Sequence, residues 1–133
     1  MENKFETYFT TPRPHAPNRF KNLSFWDRVK EIKKFAVKNQ LREFYYDLGF
    51  IAKREKYFNP NLALKILKLI AYFQREERRR CYYKLIVQYF NSCFNSRYSP
   101  ETITRTIRTL VKYGILVKTR ERPALFELKE VVG

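Results

Sequence analysis

Two places in the chain combine a side-chain helix cap with a proline at the first helical position: Asn59-Pro60 and Ser99-Pro100. At such a junction the Asn or Ser oxygen takes up orphan amide protons. Proline, with no amide proton to satisfy, brings a dihedral already suited to the first turn. Two helix starts are therefore set locally. After Asn59, the residues Leu62, Ile66, Leu69 and Phe73 make one stripe with Ala63, Leu67 and Ile70 beside it. So broad an apolar face predicts a central core helix. After Ser99, the residues Ile103, Ile107, Leu110 and Val111 share one face, and Gly114 supplies the left-handed residue that ends the helix. The opposite side of that helix carries Arg105, Arg108, Thr109 and Lys112, with Thr102 and Thr106 towards its edges, and its one acidic residue is Glu101 in the first turn.

The rest of the chain is organised around these starts. Residues 1–22 hold Pro12, Pro14 and Pro17 and predict an extended basic arm, in which Arg13, Arg19 and Lys21 are available to a groove. Ser24, with Asp27 three residues on, predicts a helix that turns Phe25, Val29, Ile32 and Ala36 inward. A short second helix is expected over 41–49, with Leu41, Phe44, Tyr45 and Leu48 on one face and Gly49 as its stop. "REERRR" reads as a charged connector, and "CYYKLIVQYFNSCF" as a helix with Tyr82, Leu85, Ile86, Tyr89 and Cys93 facing inward. Beyond Gly114, "ILVKT" and "ALFELKE" read as strands about a "RERP" turn, a β-hairpin whose tip presents Arg120 and Arg122. The expectation is a mainly α protein with a small β-hairpin, hence α+β, divided into an arm (1–22), a helical layer (23–58) and a helix-plus-hairpin unit (59–133).

Charge narrows the partners. With 28 Lys and Arg against 13 Asp and Glu, the formal charge is +15, richest in the middle third. Such a field attracts polyanions, nucleic acid first and an anionic membrane or acidic protein second. A hydrophobic content of 44%, with 17% aromatic, argues for a folded core rather than disorder. Enzymatic chemistry is not expected. The one histidine, His15, stands in the proline-rich arm, no metal-ligating side chains cluster, and three glycines are too few and scattered for a phosphate-cradling loop, so no catalytic residue, metal or cofactor is predicted. Cys81 and Cys93 are expected on one helix about 18 Å apart, as buried free thiols of a reducing compartment. "ILKLIAYF" is too short to cross a membrane, and the first twenty residues lack a secretory pattern. A cytoplasmic, nucleoid-associated protein without a membrane partner is the expectation.

The segment "SPETITRTIRTLVKYGILVKTRERPALFELK" resembles the recognition helix and wing of winged helix-turn-helix domains found in small bacterial and archaeal transcription regulators. The likeness covers Asn59 to about Val131. It implies a winged fold with extra N-terminal helices, and sequence-specific binding of double-stranded DNA. The helix at about 100–113 would enter the major groove, and the wing at about 115–130 would meet the flanking backbone or minor groove. On this likeness Thr102, Arg105, Thr106 and Thr109 are candidates for base readout. Arg97, Arg108, Lys112, Arg120, Arg122 and the connector residues Arg78, Arg79 and Arg80 are candidates for phosphate or wing contacts. The stretch from Phe90 to Tyr98 departs from compact relatives by lengthening the second helix or its turn. Two other readings stand beside the regulator: an architectural or packaging protein with little sequence preference, and a winged module that binds RNA or protein. Because one such helix reads few base pairs, a homodimer through residues 24–58 is expected, with Phe25, Trp26, Phe35, Phe44, Tyr45 and Phe50 as its surface. Packing of those residues onto their own domain is the competing reading.

Overall fold

The computed structural model describes residue 20 and residues 22–129, so the predicted arm, including Arg13, His15, Arg19 and Lys21, and the chain end beyond Lys129 lie outside the described residues. Three helices begin where the sequence supplies a cap. Ser24 Oγ accepts the Asp27 amide proton at 3.1 Å and opens α1 (Phe25–Lys38). Asn59 Oδ1 accepts from the amides of Asn61 and Leu62 at the head of α3 (Pro60–Arg75). Ser99 Oγ accepts from the Thr102 amide at the head of α5 (Pro100–Lys112). Between α1 and α3 a 3₁₀ turn, Arg42–Phe44, leads into α2 (Tyr45–Arg54). After α3 come β1 (Cys81–Tyr82), α4 (Tyr83–Phe94), then α5, β2 (Leu116–Glu121) and β3 (Ala124–Leu128). The protein is mainly helical with a small three-stranded antiparallel sheet, in the order β1-β3-β2.

Several local expectations are corrected. The hairpin is not alone: Cys81 pairs with Phe126 and Tyr82 with Leu125, so a third strand stands where the sequence predicts the start of a helix. Cys81 and Cys93 therefore do not share a helix. Both remain buried free thiols; burial raises the Cys81 thiol far above the usual range and pushes the Cys93 thiol up to about 12. Gly49 does not stop α2, which runs on to Arg54. The reason is Ile51, which continues the stripe of Phe44 and Leu48 and is 1% exposed, and burying it outweighs the cost of about 1 kcal/mol for a glycine inside a helix. Tyr45, expected inward, is exposed. The hairpin turn is narrower than "RERP", since β2 extends through Arg120 to Glu121 and leaves Arg122-Pro123, joined by a cis peptide bond, at the reversal. A bulge between Lys118 and Arg120 shifts the β2–β3 register.

One hydrophobic cluster runs from Phe20 to Leu128. Its axis is α3, whose residues Leu69 to Phe73 are all buried because α1, α2, α4, α5 and the sheet each pack on it. Phe35 and Phe44 are consumed by this core, and Phe25 stacks on Tyr89 with ring centres 4.7 Å apart. The layer at 23–58 thus shares the interior of the remainder. A polar clasp fastens it. Arg28 of α1 donates through Nε to Glu77 at 2.7 Å, through Nη1 to the Tyr89 hydroxyl and through Nη2 to the Phe20 carbonyl, while the Tyr72 hydroxyl donates to the same Glu77 oxygen at 2.6 Å. Burial alone would lower the Arg28 guanidinium, but its bonds to Glu77 and Tyr89 raise it on balance. Tyr72 is raised by burial and by Glu77.

Candidate nucleic-acid interface

The amphipathic pattern of α5 fixes what it can present. Ile103, Ile107 and Leu110 are wholly buried and Val111 half-buried, so the helix cannot roll without exposing its apolar side. Its end is a complete left-handed cap. Gly114 takes φ +78°, its amide donates to the Val111 carbonyl, and the Ile115 amide reaches back to the Leu110 carbonyl, both at 3.0 Å. Its beginning is set by the loop from α4, which Asn91 organises: Oδ1 accepts from the Ser96 hydroxyl and the Tyr98 amide, and Nδ2 donates to the Tyr98 carbonyl. Asn95, left-handed at φ 49°, turns the chain there. The stretch after Phe90 therefore continues α4 as far as Phe94 and then closes in a hydrogen-bonded turn, which leaves Arg97 exposed.

The outward face carries Arg105, Arg108 and Lys112, all exposed. Among the described residues neither Arg105 nor Arg108 forms an ion pair, whereas Lys112 binds Glu55 at 3.2 Å. The threonines are differently placed. Thr106 is only 7% exposed, and its hydroxyl donates to the Thr102 carbonyl; the Thr109 hydroxyl donates to the Arg105 carbonyl. Thr102 is drawn into the cap, with its hydroxyl 2.9 Å from that of Ser99. These side chains spend their hydrogen bonds on the helix itself, a habit of mid-helix threonine. The polar face is in effect a pair of arginines open to a ligand, flanked by a lysine held in an ion pair.

The hairpin and the connector before β1 carry other candidate cations. Arg120 and Arg122 are exposed on the hairpin that follows α5, and β2 packs against that helix. The connector arginines enter at the other edge, because β1 pairs only with β3. Arg78 is exposed at φ 57°, Arg79 lies over the Phe73 ring at 5.5 Å, and Arg80 approaches Glu127 at 3.7 Å. So α5, the loop and the hairpin form a contiguous series of elements, and the triple arginine lies in the connector that leads into β1 at the far edge of the sheet.

One part of the site is invisible in the sequence. The turn between α2 and α3 lies against α5, where Glu55 accepts from the Tyr113 hydroxyl at 2.7 Å and from Lys112. Those two hydrogen bonds, Tyr113 first and Lys112 second, hold the Glu55 carboxyl below its ordinary value. Between this turn and α5 lies an open cleft of about 300 Å³, with Lys56 and Tyr57 on one wall and Arg105 and Thr109 on the other. No local pattern announces a contact made across so much chain.

Among the described residues no group of three or more His, Cys, Asp or Glu side chains comes together, and no helix is long and apolar enough to cross a membrane. Comparison with protein-family models, with curated proteins and with solved structures finds no match to the chain.

Proposed function

We propose that the protein is a sequence-specific double-stranded DNA-binding regulator of the winged helix-turn-helix kind, with α5 in the major groove and the β2–β3 hairpin on the flanking backbone or minor groove. The observation that carries the reading is the face of α5. Arg105 and Arg108 stand exposed and, among the described residues, without ion pairs, on a helix whose other side is sealed into the core. A rigid helix with open guanidinium groups suits guanine edges, which arginine grips through two hydrogen bonds. The element order supports the same reading: α3, β1, α4, a turn, α5 and then a hairpin whose second strand pairs with β1, which fixes a wing beside the exposed helix. The charge of +15 supplies attraction for phosphates.

An architectural role is the second reading, and the threonines favour it. With Thr102, Thr106 and Thr109 bonded within the helix, base readout falls almost wholly on Arg105, and the other cations suit phosphates. A duplex-binding titration of wild type and Arg105→Ala, on a selected-site pool and on random DNA, separates the two. The regulator predicts a site on which Arg105→Ala loses about 1 to 3 kcal/mol, with little change on random DNA. Failure of the pool to converge, with equal salt dependence for both proteins, would give the architectural role the lead.

We further propose that the regulator pairs with a second copy through residues 24–58. Within that stretch the outward side of α2 carries Tyr46 and Phe50, both exposed, with the Arg54 guanidinium 5.3 Å over the Phe50 ring.

A further inference from the structure

We infer that the turn at 55–58 is a second strand-gripping element of the interface, with Lys56 and Tyr57 holding the sugar-phosphate backbone of a DNA strand beside the groove that α5 enters. This rests on the DNA-binding reading above. Three observations lead to it. The first is position: Lys56 and Tyr57 share an open cleft with Arg105 and Thr109, so a strand read by Arg105 passes the turn.

The second is rigidity. The turn is fixed to the C-terminal end of α5 by the bonds of Glu55 to Tyr113 and Lys112, and its Phe58 is packed against the hydrophobic cluster. The backbone of the turn is thus held beside α5 before a ligand arrives, which spares part of the ordering cost. The third is chemistry. Tyr57 is 81% exposed and contributes nothing to the core, and the Lys56 ammonium sits 5.5 Å from the centre of its ring. An exposed aromatic ring held beside a cation gives a flat face for a sugar, a phenol to donate to a phosphate oxygen and a point charge for the phosphate itself. Glu55, the acid of the turn, is paired with Lys112, while Lys53 and Arg54 precede it, which leaves the surroundings positive.

Backbone contacts carry no sequence information, and that makes the turn separable from Arg105 in one titration. Wild type, Lys56→Ala, Tyr57→Ala and Arg105→Ala are titrated with a selected duplex and a random duplex at two salt concentrations. Lys30→Ala, which removes a charge from the exposed side of α1, serves as the comparison, and thermal melts confirm that all variants fold. Lys56→Ala and Tyr57→Ala are each expected to weaken binding about 3- to 10-fold, to the same degree on both duplexes. Lys56→Ala is also expected to lower the salt slope by about one. Wild-type affinity in both turn variants, or losses no greater than that of Lys30→Ala, would overturn the inference while leaving the role of α5 intact. A wild-type protein that binds neither duplex would overturn both.

Discussion

At Gly49 the backbone is helical and nothing lies within 4 Å of where a Cβ would sit, while at Gly114 the space is equally open but φ is +78°. The same substitution should therefore act in opposite directions. Gly49→Ala removes unfolded-chain freedom without meeting an obstacle and is expected to raise stability by about 0.5 to 1 kcal/mol. Gly114→Ala forces a side chain into the left-handed region and is expected to lower it by about 1 to 2 kcal/mol. Urea denaturation of the two variants beside wild type checks both signs. The pair also explains one error of sequence reasoning. A glycine after an apolar stripe reads as a stop in either place, and only the continuation differs: Ile51 resumes the stripe beyond Gly49, whereas Ile115 beyond Gly114 is drawn back over the end of its helix by the bond to Leu110.

Among the elements, α1, α3 and α5 were legible because both their caps and their periodicity are local facts of the sequence. The strand β1 was not. Two residues are too few to show an alternation, and what makes Cys81 and Tyr82 a strand is pairing with Phe126 and Leu125 much later in the chain. The outward side of α5 was read correctly for its arginines and incorrectly for Thr106, since helical spacing places a residue near an edge without saying how far the neighbouring elements reach over it. The connector held a similar surprise. In a run of charges Glu77 looks solvated, yet it is 3% exposed and holds Arg28 and Tyr72. Removing one partner of a buried, hydrogen-bonded ion pair leaves the other uncompensated, so Glu77→Ala is expected to cost about 3 to 5 kcal/mol. Urea denaturation measures it, and a loss below about 1 kcal/mol would mean that water already reaches the clasp.

For the whole molecule, charge and association pull against each other. Two chains of +15 repel, but within about 8 Å at physiological salt only local charges count, and α2 presents acid near its start and base near its end. With Phe35 and Phe44 withdrawn into the core, the exposed aromatic side chains of residues 24–58 are Trp26, Tyr45, Tyr46, Phe50 and Tyr57. Light scattering at tens of micromolar is expected to give the mass of two chains for wild type. A monomeric wild type would dispose of the pairing.

The clasp between Arg28 and Glu77 has a further consequence for how the chain can be divided. A cut before Asn59 follows the natural boundary of the sequence, with a capped helix ready to begin. It would nevertheless strand Glu77 in the interior without its cation, release Lys112 and Tyr113 from Glu55, and uncover the flank of α3 that α1 and α2 seal. The helix-and-hairpin half is thus not a transplantable module. The two helices that precede it are part of its solvent exclusion, and the smallest unit that keeps α5 in its present setting begins no later than the phenylalanine at position 20, whose carbonyl and ring already close the clasp.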